Sequence, residues 1–224
     1  KKKFWQNIMK SEIIQRILSS IILIPVALFF IVKGSYFFTF FMIIFFIVAA
    51  YEWIGISKKK NYKIPGFIFL IISIYLTIEF RGNTNFQLYI FLVIMLICVS
   101  TDIGGYVLGN LFKGPKINKA ISPNKTYSGS IGGYLLSIIL VYFFFQNSYL
   151  IGKDLPNYFG KDEFILVLII STVSQIGDFI ISFFKRKSKI KNTGSIIPGH
   201  GGLLDRTDGM IFAIPFAYIY LNLI

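Results

Sequence analysis

The sequence predicts an all-α polytopic integral membrane protein of about seven transmembrane helices, with its N-terminus in the cytoplasm. Of its 224 residues 55% are hydrophobic and only 15% charged, against about 25% charged in ordinary soluble domains. Several apolar runs approach or exceed the roughly 18–20 residues that cross a bilayer core. The basic residues, moreover, fall unevenly between those runs, as topology-setting charges do.

Residues 1–12 are basic, with Phe4, Trp5, Ile8 and Met9 interleaved, and read as an amphipathic lead-in on the membrane surface. The first span covers about 13–32. Its basic flank is like that of a signal peptide, but no small-residue cleavage site follows, so it reads as an uncleaved span. The second covers about 36–56, with Glu52 beside Trp53 read as interfacial and Lys58-Lys59-Lys60 as the stop. The third is about 64–80. The fourth, about 88–112, starts apolar and then carries Ser100, Thr101, Asp102, Gly104, Gly105 and Gly109. A polar loop over 113–130 leads to a short fifth span at about 131–145. The sixth is about 164–184 and the seventh 209–224. Residues 1–112 read as scaffold helices with the Asp102 segment, and 113–224 as the region that carries the chemistry, in one continuous membrane domain.

With seven crossings, every one of the 23 Lys and Arg except Lys33, Arg81, Lys153 and Lys161 falls on one side. That side is the cytoplasmic one, and the C-terminus lies outside. The net charge of +13 therefore points to anionic lipid headgroups rather than to nucleic acid. The single Cys98 lies in an apolar run, so there is no disulfide framework. No internal repeat is visible, which weighs against inverted-repeat transporters.

On the sixth span Ser171, Ser174, Gln175, Asp178 and Ser182 recur at helical spacing and form one polar stripe. Interhelical hydrogen bonding explains such serines. A carboxylate is different, since it costs roughly 2.5–3.5 kcal/mol in a membrane helix and marks a lined cavity. Asp205 and Asp208 are three apart, so they share a face if the seventh helix starts near them. They suit either a helix start or Mg²⁺, which takes one or two carboxylates plus substrate phosphates. Only hard oxygen ligands cluster here, with no Cys/His set, which speaks against zinc. His200, the only histidine, sits in Pro-Gly-His-Gly-Gly, where flexible glycines bring backbone N–H groups close to an anion. Residues 121–133 couple Lys125 and Thr126 to Gly129, Gly132 and Gly133. That pattern suits phosphate at a helix start, or else close helix packing. Lys113, Lys116 and Lys119 read as a topogenic run. Together these features describe a cavity open to the cytoplasm, suited to joining a soluble phosphate compound to a lipid phosphate or alcohol.

The pattern Ser182-x-Phe-Lys185-Arg186-x4-Lys191-x-x-Gly194-x3-Pro198-Gly-His200-Gly201-Gly202-x-x-Asp205-Arg206-x-Asp208 resembles the signature of the phosphatidate cytidylyltransferase (CDP-diacylglycerol synthase) family. So do Ser122-Pro123-x-Lys125-Thr126-x-x-Gly129-x-x-Gly132-Gly133 and Asp102 with Gly109. The resemblance implies in-line transfer from CTP to phosphatidic acid with Mg²⁺ and room for a second cation. It implies Asp178 and Asp205 as metal ligands, supported by Asp208 and Asp102. Lys125, Lys185, Arg186, Lys191 and Arg206 would hold the triphosphate and phosphatidate. Ser122, Thr126, Gly129, Ser182, His200, Gly201 and Gly202 would complete the substrate contacts. A bacterial-type inner membrane, a site facing the cytoplasm and a homodimer are compatible with it. Ser128, Ile181 and Asn192 stand where similar enzymes carry acids. An altered-substrate or inactive relative, a lipid kinase, and a transporter or lipid-binding protein stay open as alternatives.

Overall fold

The computed structural model describes residues 12–58, 60–150, 152 and 155–223; the expected lead-in over 1–11 lies outside them. Among the described residues six helices are long and apolar enough to cross a membrane: α1 (Glu12–Lys33), α2 (Ser35–Ile56), α3 (Lys63–Arg81), α4 (Asn85–Phe112), α5 (Tyr127–Gln146) and α6 (Lys161–Lys187). A one-turn helix, α7 (Leu204–Thr207), then precedes α8 (Met210–Leu223). The protein is thus an all-α polytopic membrane protein. The seventh expected span is a 14-residue helix, about 21 Å long at ~1.5 Å per residue, against a hydrocarbon core of about 30 Å.

Although shortest, α8 is central. Its Ala213 and Ala217 are fully buried beside Ile94, Ile97 and Cys98 of α4 and Ile170 of α6. By contrast α1 turns most of its apolar surface outward, Ile21 and Ile22 being more than 60% exposed, as suits a helix facing lipid.

Lipid gives helices no hydrophobic reason to associate, so close packing must hold them. The glycines of α4 and α5 supply it. A Cβ on Gly104 would overlap the Gly132 carbonyl oxygen, and one on Gly129 would stand 2.7 Å from the Gly105 oxygen. Backbone therefore meets backbone. At the opposite end of the bundle Arg81, only 4% exposed, donates to the carbonyls of Ile31 (2.6 Å), Val32 (3.1 Å) and Gly82 (3.0 Å). It satisfies the orphan carbonyls that end α1.

The polar loop expected over 113–130 is more ordered than that reading allowed. Strands β1 (Lys116–Asn118) and β2 (Ser122–Thr126) pair antiparallel. The Asn118 side chain accepts from the backbone N–H groups of Ala120 and Ile121 and closes the turn.

Candidate functional site

The polar residues of the second half gather at one end of the bundle. There the C-terminal ends of α2, α4 and α6 meet the starts of α1 and α5, the β1–β2 hairpin and the 188–203 connector.

Asp178 on α6 forms an ion pair with Lys125 of β2 at 2.5 Å. The same ammonium reaches the Gln175 carbonyl at 3.4 Å, and Ser182 reaches Asp178 at 3.5 Å. Asp208, 8% exposed, contacts Asp178 directly. Burial, and then the neighbouring Asp178 charge, hold the Asp208 carboxyl well above the usual carboxylate range. Asp102, exposed on α4, faces the charges of Asp178, Lys125 and Arg206.

Asp205 has other partners. One oxygen accepts from Lys185 Nζ at 2.9 Å, in a pair only 8–10% exposed. The second accepts from the backbone N–H groups of Thr193 (2.8 Å) and Gly202 (3.0 Å). Asp205 and Asp208 therefore have different main partners. α7 lasts a single turn, so Asp205 points into the connector while Asp208 turns toward α6.

The connector is a tight glycine loop in which Ile197 and Gly201 exchange backbone hydrogen bonds of 3.0 and 3.1 Å. Gly199 and Gly201 take φ of 74° and 92°, a region that side chains with a Cβ avoid. His200 at its tip meets Ser19 through Nδ1 (2.8 Å) and Ser20 through Nε2 (3.4 Å) of α1. Arg16 donates to the Gly199 carbonyl at 2.7 Å. Burial, then Arg206, lower the His200 pKa. Arg206 donates to the His200 carbonyl (2.7 and 3.1 Å), and Arg186 to the carbonyls of Ile121 and Ile190. Lys191 is exposed.

Thr126 caps α5, its hydroxyl accepting from the Gly129 N–H at 3.0 Å, and Ser128 donates to the same hydroxyl. Gly129 packs on α4, while Ser122 is half-buried where β2 begins. The polar stripe divides its work. Ser171 receives a hydrogen bond from Thr101 of α4 at 2.8 Å, and Asp178 serves the charged cluster. Ile181 lies in an apolar cluster with Trp53, Ile56 and Leu204, lining a cavity of about 210 Å³; it has packing there in place of a charge. Asn192 is exposed beside Gly201.

Two expectations are corrected. Glu52 is not interfacial but 1% exposed, accepting from Thr193 Oγ1 (2.8 Å) and from the N–H groups of Leu203 (2.8 Å) and Leu204 (2.9 Å). The first helices are accordingly more than scaffold, since α1 and α2 both grip the connector. An acid within an apolar run, near a helix end, was the one available signal for Glu52.

Among the described residues no three His, Cys, Asp or Glu side chains converge as a ready-made metal cage. A pair of touching carboxylates is nevertheless a hard-oxygen donor set, and it needs a proton or a cation between its charges. That chemistry fits a divalent cation completed by substrate phosphates.

The chain matches the model of the cytidylyltransferase family over residues 14–81 and 62–224. It is 35% identical over 223 residues to a protein named phosphatidate cytidylyltransferase from Rickettsia typhi, covering 95% of this chain and 94% of that one. A protein of the same name from Rickettsia bellii is 33% identical over 218 residues, covering 93% and 90%. One from Brucella suis is 36% identical over 140 residues, 62% of this chain and 49% of that protein. The chain thus spans about half the length of the Brucella relative and nearly all of the Rickettsia ones.

Proposed function

The chain belongs to the cytidylyltransferase family, and from that premise we propose that it is a phosphatidate cytidylyltransferase. It joins CTP to phosphatidic acid and yields CDP-diacylglycerol and pyrophosphate. The observation that carries this reading is the charge arrangement around Asp178. A carboxylate on a membrane helix holds Lys125 on one side and touches Asp208 on the other, while a second buried pair, Lys185–Asp205, lies on the same helix end.

In the reaction a phosphate oxygen of the lipid attacks the α-phosphorus of CTP. The bond from that phosphorus to the bridging oxygen of the β-phosphate breaks, and pyrophosphate leaves with the electron pair. No proton transfer or covalent nucleophile is required, so the protein's task is positioning and charge neutralisation. Asp178 and Asp208 would hold Mg²⁺, with Asp102 the remaining carboxylate for a second cation. A divalent cation held there would supply charge neutralisation at the phosphates. Lys125 and Lys185, each paired with an aspartate, exchange part of that contact for substrate phosphate. Arg186, Lys191 and Arg206 line the rim where a triphosphate arrives from water. Asp205 keeps the glycine loop in place behind Lys185.

The basic asymmetry of the sequence supports a site opening to the cytoplasm of a bacterial inner membrane. The test uses purified protein in detergent with phosphatidic acid, CTP and Mg²⁺, following pyrophosphate and CDP-lipid. Asp178→Asn abolishes both products, whereas Asn192→Asp retains them. A folded parent protein that forms no CDP-lipid, with Asn192→Asp equally silent, overturns the proposal.

A further inference from the structure

We propose that Glu52 is a positioning residue for the site, acting through the connector to aim Asp205 at Lys185; the inference rests on the cytidylyltransferase reading. Its carboxylate is 1% exposed on α2, among the costliest places for an acid. It is an acceptor-only group when ionised, and three donors meet it. They are the Thr193 hydroxyl and the N–H groups of Leu203 and Leu204.

The same segments are held from the other side by Asp205, through the N–H groups of Thr193 and Gly202. Thr193 is therefore shared, its hydroxyl on Glu52 and its amide on Asp205. Glycines let the clamp close. A Cβ on Gly194 would stand 2.9 Å from Glu52 Oε1, and one on Gly202 would stand 2.5 Å from Oε2. Leu203 and Leu204, fixed by Glu52, lead directly into Asp205. Releasing Glu52 leaves the start of α7 untethered on one side and lets the Asp205 carboxylate drift from Lys185.

The test compares Glu52→Gln with the parent, each also carrying a spin label at Ile196→Cys; Ile196 is 47% exposed on the connector, and the native Cys98 is buried. Glu52→Gln should lower kcat about 10–100-fold, the range for residues that orient a reactive group. KM for CTP should stay within about threefold, because the residue touches no substrate, and the label should become more mobile. If Glu52→Gln fails to fold, Thr193→Val, which removes one of the three contacts, gives the same pattern at smaller amplitude. A kcat within twofold of the parent with an unchanged label spectrum overturns the proposal, as does a lowered melting temperature with kcat intact. A folded parent that is inactive, with Asn192→Asp equally silent, defeats the cytidylyltransferase reading instead. The label spectra then still decide whether Glu52 holds the loop, and an unchanged spectrum overturns that as well.

Discussion

Asp205→Asn isolates the buried ion pair behind the glycine loop. Asp205 and Lys185 are 8% and 10% exposed and 2.9 Å apart, so solvent screening removes little of their interaction. Removing one partner of such a pair strands the other charge, at about 3–5 kcal/mol. The asparagine still offers one acceptor oxygen to the Thr193 and Gly202 amides, which places the loss near 3 kcal/mol. At about 2–4 °C per kcal/mol for a chain of this size, the midpoint should fall by about 6–12 °C. Thermal unfolding in detergent, followed by tryptophan fluorescence with EDTA present, measures the pair with no divalent cation involved. Lys185→Met should cost less, because Asp205 keeps its two amide donors. The double substitution should cost clearly less than the sum of the two singles. A loss below about 1 kcal/mol for Asp205→Asn, or strict additivity, refutes the reasoning.

Three further outcomes follow from other parts of the molecule. Gly132→Leu should unfold or misassemble the bundle, because even a Cβ there stands 2.5 Å from Leu108 Cβ; size-exclusion profiles and helical CD after purification check it. Arg81→Met orphans the Ile31 and Val32 carbonyls and should cost about 1–3 kcal/mol while leaving KM for CTP unchanged, read from melting curves and kinetics. His200 has a lowered pKa, so its contribution to stability is present above the ordinary value of about 6.5 and is lost as pH falls through the lower folded value. His200→Asn should therefore flatten the acid side of a melting-temperature profile, and an unchanged acid limb would show that this imidazole does not titrate on unfolding.

Much of the fold could be read from hydropathy because a membrane helix announces itself by composition alone. The apolar runs place six helices to within a few residues. Asp178 was legible for the same reason, as a charge where charge is costly. The separate fates of Asp205 and Asp208 were not legible. Spacing of three says nothing of which partners each meets, Lys185 and the connector amides for Asp205 and the neighbourhood of Asp178 for Asp208. Glu52 was hidden more deeply. Its donors lie 141 to 152 positions away, and two of the three are backbone amides, which leave no trace in residue type. The hairpin escaped because β1 has three residues, and Pro123 within β2 argues against a strand.

The contact of α4 with α5 has a mechanical consequence. A joint made largely of carbonyls and glycine carbons, with the Leu108 and Leu136 Cβ atoms pressed against Gly132 and Gly104, leaves little room to repack, so added side-chain volume there disrupts it rather than resets it. Asp102 on α4 and Lys125, one residue before the cap of α5, therefore behave as one rigid jaw. The opposing jaw, α6, meets it through hydroxyl contacts, Thr101 with Ser171 and Tyr134 with Thr172, each 2.8 Å. Those can lengthen, tilt or accept water at modest expense. Any change in the width of the opening should accordingly come from resetting α6, with the glycine joint left as the fixed datum from which it is gauged.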